Sequence, residues 1–244
     1  ESRDAKISSL GGCAGGNFKR LERTHLSTEK IQNSLLALML ADVALQADLK
    51  PVCVDLLAGP LAPGFHGADR FLYFPVDALM TLGSESSSDA VLAVVGLHGC
   101  VAPGQAGGSN AHAHVMVPGQ VYRIDWAPVA DDPERYASWL WHTTAATQRM
   151  IRQMVQWSFC LQHHTGQQHL ASWLLHCMAQ YPHAHLDFHL RALPMAIRQL
   201  LELSGAHNAS GFDVREGYVH VTSPQRLAEQ ACSCYQKMAG AYTA

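Results

Sequence analysis

From Ala137 to Gln180 the chain contains no proline, and Gly166 is its one glycine. A run of that length without a breaker reads as helix. Met150, Met154, Trp157 and Leu161 step along it by four, three and four residues, with Ile151 and Val155 beside them. That spacing lays one apolar stripe on the helix. Such a stripe is either ordinary core or the seam of a helical dimer. Pro133, in APVADDPERY, suits the first helical turn. Gly166, or the residues just before it, ends this long helix and opens a second amphipathic one, QQHLASWLLHCMAQY.

The segment upstream is written in another style. Between Leu49 and Tyr122 short apolar runs are punctuated by glycine and proline: KPVCVDLLAG, DRFLYFPVDALMTLG, DAVLAVVGLHG and AHVMVPGQVYRI. Each is strand-length and bounded by turn residues, and their regular spacing implies a β-sandwich or barrel. Before them Thr28 to Leu45 has helical character, with a serine cap signal and Glu29 in STEK. The opening ESRDAKISSLGGCAGGN is polar and glycine-rich, carries no secretory signal, and reads as a flexible leader.

Downstream, Tyr181 to Leu193 reads as loop and Leu193 to Ser204 as a short helix, with Gly205 placed to cap it. Gly211 to Val221 reads as two short strands about a turn at Arg215, Glu216 and Gly217. Ser223 and Pro224 then open a final helix, QRLAEQACSCYQKM.

Hydrophobic residues make up 48% of the 244, enough for a sizeable core, and the net charge of −3 gives no global attraction to nucleic acid. Charged residues are only 15%, which favours an oligomer that covers part of its surface. No apolar run is long enough to span a bilayer, so no membrane partner is expected. The seven cysteines are irregularly spaced without a CxxC, which fits a reducing, cytoplasmic setting.

Several phrases, in this order, resemble the Crp/Fnr family of bacterial transcription regulators over about Lys30 to Met238. NSLLALMLADV resembles the family's entry helix, and RFLYFPVDALMTL, VVGLHGCV and VMVPGQVYRI resemble strands of its sensor barrel. CLQHHTGQQHLASWLL resembles the end of the dimer helix and the start of the DNA-binding domain. EGYVHVTSPQRLAEQACSCY resembles the wing and closing helix, with the glycine, the cysteine pair and the tyrosine at matching intervals. The resemblance implies an α+β chain. A flexible leader (1–27) precedes a cyclic-nucleotide-binding-like jelly-roll β-barrel that senses a signal (28–133). A dimerisation helix (134–165) and a winged helix-turn-helix domain (166–244) follow. It further implies a homodimer bound to double-stranded DNA, with Met150, Ile151, Met154, Trp157 and Leu161 at the dimer interface.

Two departures qualify this. The family's nucleotide-binding members carry a glycine–glutamate pair and an arginine around the phosphate. Here the matching stretch, His98 to Pro118, has no arginine, lysine or acid. The chain therefore resembles a branch without the cyclic-nucleotide cassette, and tight cAMP binding is not expected. The effector is an unknown small molecule, with Gly99, Cys100, Gly104, His112 and His114 as pocket candidates.

The second departure lies between the two glycines at 205 and 211, where only Ala206 to Ser210 stand in place of a recognition helix. A helix that enters the major groove needs about ten residues at 1.5 Å each. From Leu186 to Gln230 four basic residues (Arg191, Arg198, Arg215, Arg226) face five acids (Asp187, Glu202, Asp213, Glu216, Glu229), the wrong balance for tracking phosphates. The winged helix-turn-helix is thus read as shortened. Three explanations stand: it has lost sequence reading, the sequence lacks a stretch that the protein carries there, or a neighbouring segment reads the DNA. If the unit contacts DNA, Arg198, Gly205, Ala206, His207, Asn208, Arg215 and Tyr218 are the candidates.

The fifteen histidines include a loop cluster of His183, His185 and His189 below His176 and Cys177. They leave a haem- or metal-dependent gas or redox sensor as one alternative, and a DNA-binding-deficient interaction protein of the same fold as another. No histidine pair stands at ligand spacing on an assured helix, so no metal ligand is assigned. Cys232 and Cys234, on one helix, would point about 200° apart and take a structural role. Nucleophile-elbow, dinucleotide and P-loop patterns are absent, so no enzyme is expected.

Overall fold

The computed structural model describes residues 18–23, 31–61, 71–84, 87–102, 111–204 and 211–239. Strand β1 (Phe18–Arg23) and helix α1 (Ser34–Ala41) come first. Seven further strands follow: β2 (Val52–Leu56), β3 (Gly59–Leu61), β4 (Phe71–Pro75), β5 (Leu79–Ser84), β6 (Ser87–Val95), β7 (Ala111–Val117) and β8 (Gly119–Asp125). They form two four-stranded antiparallel sheets, ordered β1-β2-β8-β4 and β3-β7-β5-β6. The expected jelly roll is thus a sandwich of two sheets; among the described residues no strand pairing closes them into a barrel.

The apolar phrases of the sequence turn corners, and that is how the sandwich forms. β2 and β3, β4 and β5, and β7 and β8 each place consecutive strands in opposite sheets. At the last corner a Cβ on Gly119 would stand 2.5 Å from Asp77 Oδ1, so only glycine fits. Val54, Leu56, Tyr73, Met80, Val115 and Val121 fill the space between the sheets. β1 lies inside the stretch read as a flexible leader. It pairs with β2, Phe18 opposite Leu56 and Lys19 opposite Asp55, and so covers an otherwise open strand edge.

The first helix begins later than its sequence signal. Asn33 caps α1, its side chain accepting from Leu36 N at 3.0 Å, while Nδ2 donates to Pro75 O and Gly99 O at 3.0 Å each. The STEK signal lies outside the described residues. Leu35, Leu36 and Met39 then pack on Leu72, Phe74 and Ile124, the outer face of the first sheet.

After a short helix α2 (Ala127–Ala130) comes α3 (Pro133–His163), 31 residues capped by Asp132, whose side chain accepts from Glu134 N and Arg135 N. At 1.5 Å per residue it is about 46 Å long. The chain turns at His164 and re-enters helix at Gly166 through a capping box between Thr165 and Gln168, giving α4 (Gly166–Ala179). The sequence reads α4 as amphipathic. Instead its residues from His169 to Cys177 are all buried, because the helix sits at the centre of the C-terminal unit.

That unit is completed by β9 (Asp187–His189), α5 (Met195–Ser204), β10 (Phe212–Arg215), β11 (Tyr218–Val221), α6 (Pro224–Gln230) and α7 (Cys234–Ala239). β9 falls in the expected loop and pairs with β11, making a three-stranded sheet β10-β11-β9. The β10–β11 turn is Glu216 (φ 51°) and Gly217 (φ 82°), the left-handed pair of a tight hairpin. The single final helix expected from the sequence is broken between α6 and α7. Ala231 is extended (ψ 149°), and Cys232 N donates to Ser172 Oγ at 3.2 Å. The core of this unit, around Trp157, Trp173, Phe188 and Leu227, is continuous with Leu79, Val94, Met116 and Val117 of the second sheet. The C-terminal unit therefore packs directly on the sandwich.

Candidate functional site

A cleft of about 720 Å³ opens between the sandwich and the middle of α3. The loop after β6 contributes His98, Gly99 and Cys100 to its wall, and α3 contributes Thr143, Thr147 and Arg149. Two of the five sequence-predicted pocket residues, Gly99 and Cys100, are therefore in the cleft. Gly104 lies outside the described residues. His112 sits in β7 opposite Gly83, and His114, half-buried in the same strand opposite Thr81, is not among the lining residues.

Arg149 is the one charged side chain among the described lining residues. The loop sequence offers no cation, and the structure supplies one from the helix. Burial, reinforced by the Arg149 guanidinium, holds the His98 imidazole below its ordinary range. Its Nδ1 stands 2.9 Å from Ser34 Oγ. Burial likewise pushes the Cys100 thiol up to about 12, against the pull of Arg149. Cys100 is thus a neutral, unreactive wall of the cleft at physiological pH.

At the lower end of the cleft a buried polar junction ties three elements together. Gln153 of α3 accepts from Val94 N (3.1 Å) and donates to Val94 O (3.3 Å), acting as an extra partner for β6 at the edge of its sheet. The same amide meets Nε2 of His176 on α4. Burial pushes His176 down to about 3 and His169 down to about 4, so both rings are neutral near pH 7. Trp157 lies edge-on to both, at 5.2 Å from His169 and 5.6 Å from His176. Beside this junction Leu97 N donates to Gln180 O at 3.0 Å, and a Cβ on Gly96 would run into that carbonyl.

Trp157 is therefore turned into its own chain and is 5% exposed. Met150 packs against the sandwich core, and Met154 is half-buried. Ile151 and Leu161 are 52% and 63% exposed. Leu140, Trp141, Val155 and Phe159 of α3 are exposed along with them.

On the C-terminal unit Arg198 lies half-buried on α5, with Nη2 3.7 Å from Met195 Sδ. Arg215, on the wing, is paired with Asp213. Tyr218 is exposed at the start of β11 with its ring 4.9 Å from that of His189. Gly205, Ala206, His207 and Asn208 lie outside the described residues. His220 and Asp187 pair at 2.8 Å across the small sheet.

One group of donors went unassigned in the sequence. Cys160, His164, Cys232 and Cys234 bring their ligand atoms within 4.8 Å of one another. The cysteine pair does not share a helix, because the α6–α7 break turns both side chains to one side. Arg149 and Gln153 were missed as well. They stand one helical turn apart beside Met150, a spacing that could have marked a polar side of α3 facing the sheets.

No protein-family model matches the chain, and no curated protein matches it. Among solved structures it is similar to FixK2 from Bradyrhizobium japonicum, at 13% identity over 75% of this chain and 98% of that one, with a TM-score of 0.49. Two transcriptional regulators from Thermus thermophilus, one of the CRP/FNR family and one of the CRP family, are similar too, both at 15% identity. One is covered to 97%, with 73% of this chain and a TM-score of 0.49; the other to 93%, with 71% and 0.47. The order seen here of sandwich, long helix, and helices with a wing is the one the sequence resemblance implied. No helix among the described residues is long and apolar enough to cross a membrane.

Proposed function

We propose that this chain is a non-catalytic, homodimeric transcription regulator of the Crp/Fnr type, working in the cytoplasm. In this reading its sandwich senses a small molecule other than cAMP and its C-terminal unit contacts double-stranded DNA. The observation that carries the reading is the path of α3. One helix walls the cleft at Thr143 to Gln153 and continues into the C-terminal core at Trp157 and Cys160. A ligand between the sheets and α3 would bear on the same rigid rod that positions the C-terminal unit. Gln153, held by β6 and touching His176, is the joint through which a shift would pass.

The effector in this proposal carries a single anionic group read by Arg149 and is otherwise held by threonine hydroxyls and apolar walls. Binding would favour one of two dimer states that differ in the spacing of the C-terminal units. Two copies of α3 would meet through Leu140, Ile151, Val155 and Phe159, an apolar face otherwise left in water. DNA contact would use the wing at Arg215 and Tyr218, Arg198 of α5, and the segment around Gly205 to Asn208.

Selection of bound duplexes from a random DNA pool, with light scattering on the same preparation, tests this. A dimer that enriches a two-fold symmetric site supports it. A dimer that enriches nothing favours an interaction protein that has lost sequence reading, as the short interval before Gly211 and the acidic balance of the unit suggest.

A further inference from the structure

The end of α3 and the break between α6 and α7 enclose four donor groups that the proposed sensing and DNA contact do not use. Cys160 lies in the last turn of α3, and His164, four residues on, is its C-cap, with its N–H donating to Cys160 O. Cys232 and Cys234 come from the break between the two short helices. Cys160 Sγ is 3.4 Å from Cys232 Sγ, and Cys234 Sγ is 3.5 Å from His164 Nδ1. The three cysteines are buried and none is in a disulfide.

These two separations are close to the edges of a tetrahedron around one ion, and all four donor atoms lie within 4.8 Å of one another. With zinc–sulfur bonds of about 2.3 Å and zinc–nitrogen bonds of about 2.0 Å, neighbouring donors stand roughly 3.5–3.8 Å apart. Three thiolates and an imidazole, with no carboxylate in the group, are a donor set for zinc rather than for magnesium or calcium. Four protein ligands leave no open position, so the site is structural rather than catalytic. Ligands of a polynuclear iron–sulfur cluster, each on a different iron, would be spread wider.

The surroundings suit a bound anion-rich centre. Ser172 Oγ lies 3.1 Å from Cys232 Sγ, where its hydroxyl can donate to the sulfur while its oxygen accepts from Cys232 N. Outer-shell donors of this kind orient and stabilise metal thiolates. Ser172 is itself fully buried on α4.

We propose that Cys160, His164, Cys232 and Cys234 bind one zinc ion, which clamps the end of α3 to the α6–α7 break. The ion fixes the angle between the long helix and the C-terminal unit, and its loss frees that joint. The assignment stands on the four donors alone and does not depend on what the chain recognises.

The test uses the full chain, purified under thiol reductant without chelator, with metal content read by elemental analysis and native mass spectrometry. One zinc per chain is expected. It should persist in a Cys53→Ser/Cys100→Ser control and fall at least tenfold in Cys160→Ser/Cys234→Ser. Should that last variant fail to fold, cobalt exchange into the wild type settles the matter. Cobalt should give the visible bands of a tetrahedral site with strong thiolate charge transfer, and His164→Cys should intensify the charge transfer while keeping unit stoichiometry. A reduced wild type without zinc and without a cobalt spectrum would overturn the proposal. So would unit stoichiometry retained in the folded double-serine variant, or a metal-free protein with Cys160 and Cys232 joined in a disulfide.

Discussion

Acidification from pH 7 to pH 5 should destabilise the fold through His176, and the size of the effect follows from its burial. The side chain is 0% exposed, packed against Trp157 and the amide of Gln153, with His98 as the nearest other titratable influence. Burial first, then His98, pushes the imidazole from its ordinary 6.5 to about 3. The folded state then stays unprotonated throughout this pH range, while the unfolded chain takes up a proton as pH falls below 6.5. Stability is full above that value and is lost as pH drops toward 3, at about 1.4 kcal/mol per pH unit. Between pH 7 and pH 5 the loss from this one residue is about 2 kcal/mol. The assay is urea unfolding at a series of pH values and one fixed protein concentration, for the wild type and for His176→Gln. Glutamine keeps a polar partner for Gln153 and does not titrate. Other histidines contribute to both proteins and cancel in the difference, so the variant's stability should fall about 2 kcal/mol less over the interval. Identical pH slopes in the two proteins would show that His176 is not held neutral by the fold.

Other outcomes are equally specific. Gln153→Leu strips the buried Val94 N–H and C=O of their partners, at roughly 1–3 kcal/mol for each group, and should speed hydrogen exchange at the Val94 amide. Gly96→Ala drives a methyl into the Gln180 carbonyl and should cost about 1–3 kcal/mol, read as a lower urea midpoint. Ile151→Glu with Val155→Glu puts charge on the open face of α3. Sedimentation should then show monomer in place of dimer, with the monomer still folded by circular dichroism.

Much of this molecule was legible from periodicity and punctuation. Glycine and proline mark the sandwich corners because a sharp passage between sheets needs them, as at Pro118 and Gly119. The long helix was legible because nothing between Pro133 and Gly166 interrupts it. Gly217 announced the wing turn, because it takes the left-handed conformation there at φ 82°. What stayed hidden depended on neighbours distant in sequence. β9 is three residues long and exists only because β11 lies beside it. The stripe of Met150, Met154, Trp157 and Leu161 has one period but two environments. Its centre is covered by the histidines of α4, and its end is in water. Gln153 looks like an ordinary surface glutamine until the edge of β6 is placed against it. The cysteines at 232 and 234 look opposed on a helix, and only the turn at Ala231 brings them together beside Cys160.

In the function proposed above, the C-terminal unit of a dimer holds DNA. Fluorescence anisotropy of a labelled duplex, titrated with protein at several salt concentrations, tests it most directly. Saturable binding at two chains per duplex is expected, with log affinity falling linearly as log salt rises, and tighter binding to a selected site than to random sequence. Absence of binding at low salt, or binding that does not distinguish the selected site from random DNA, would contradict it.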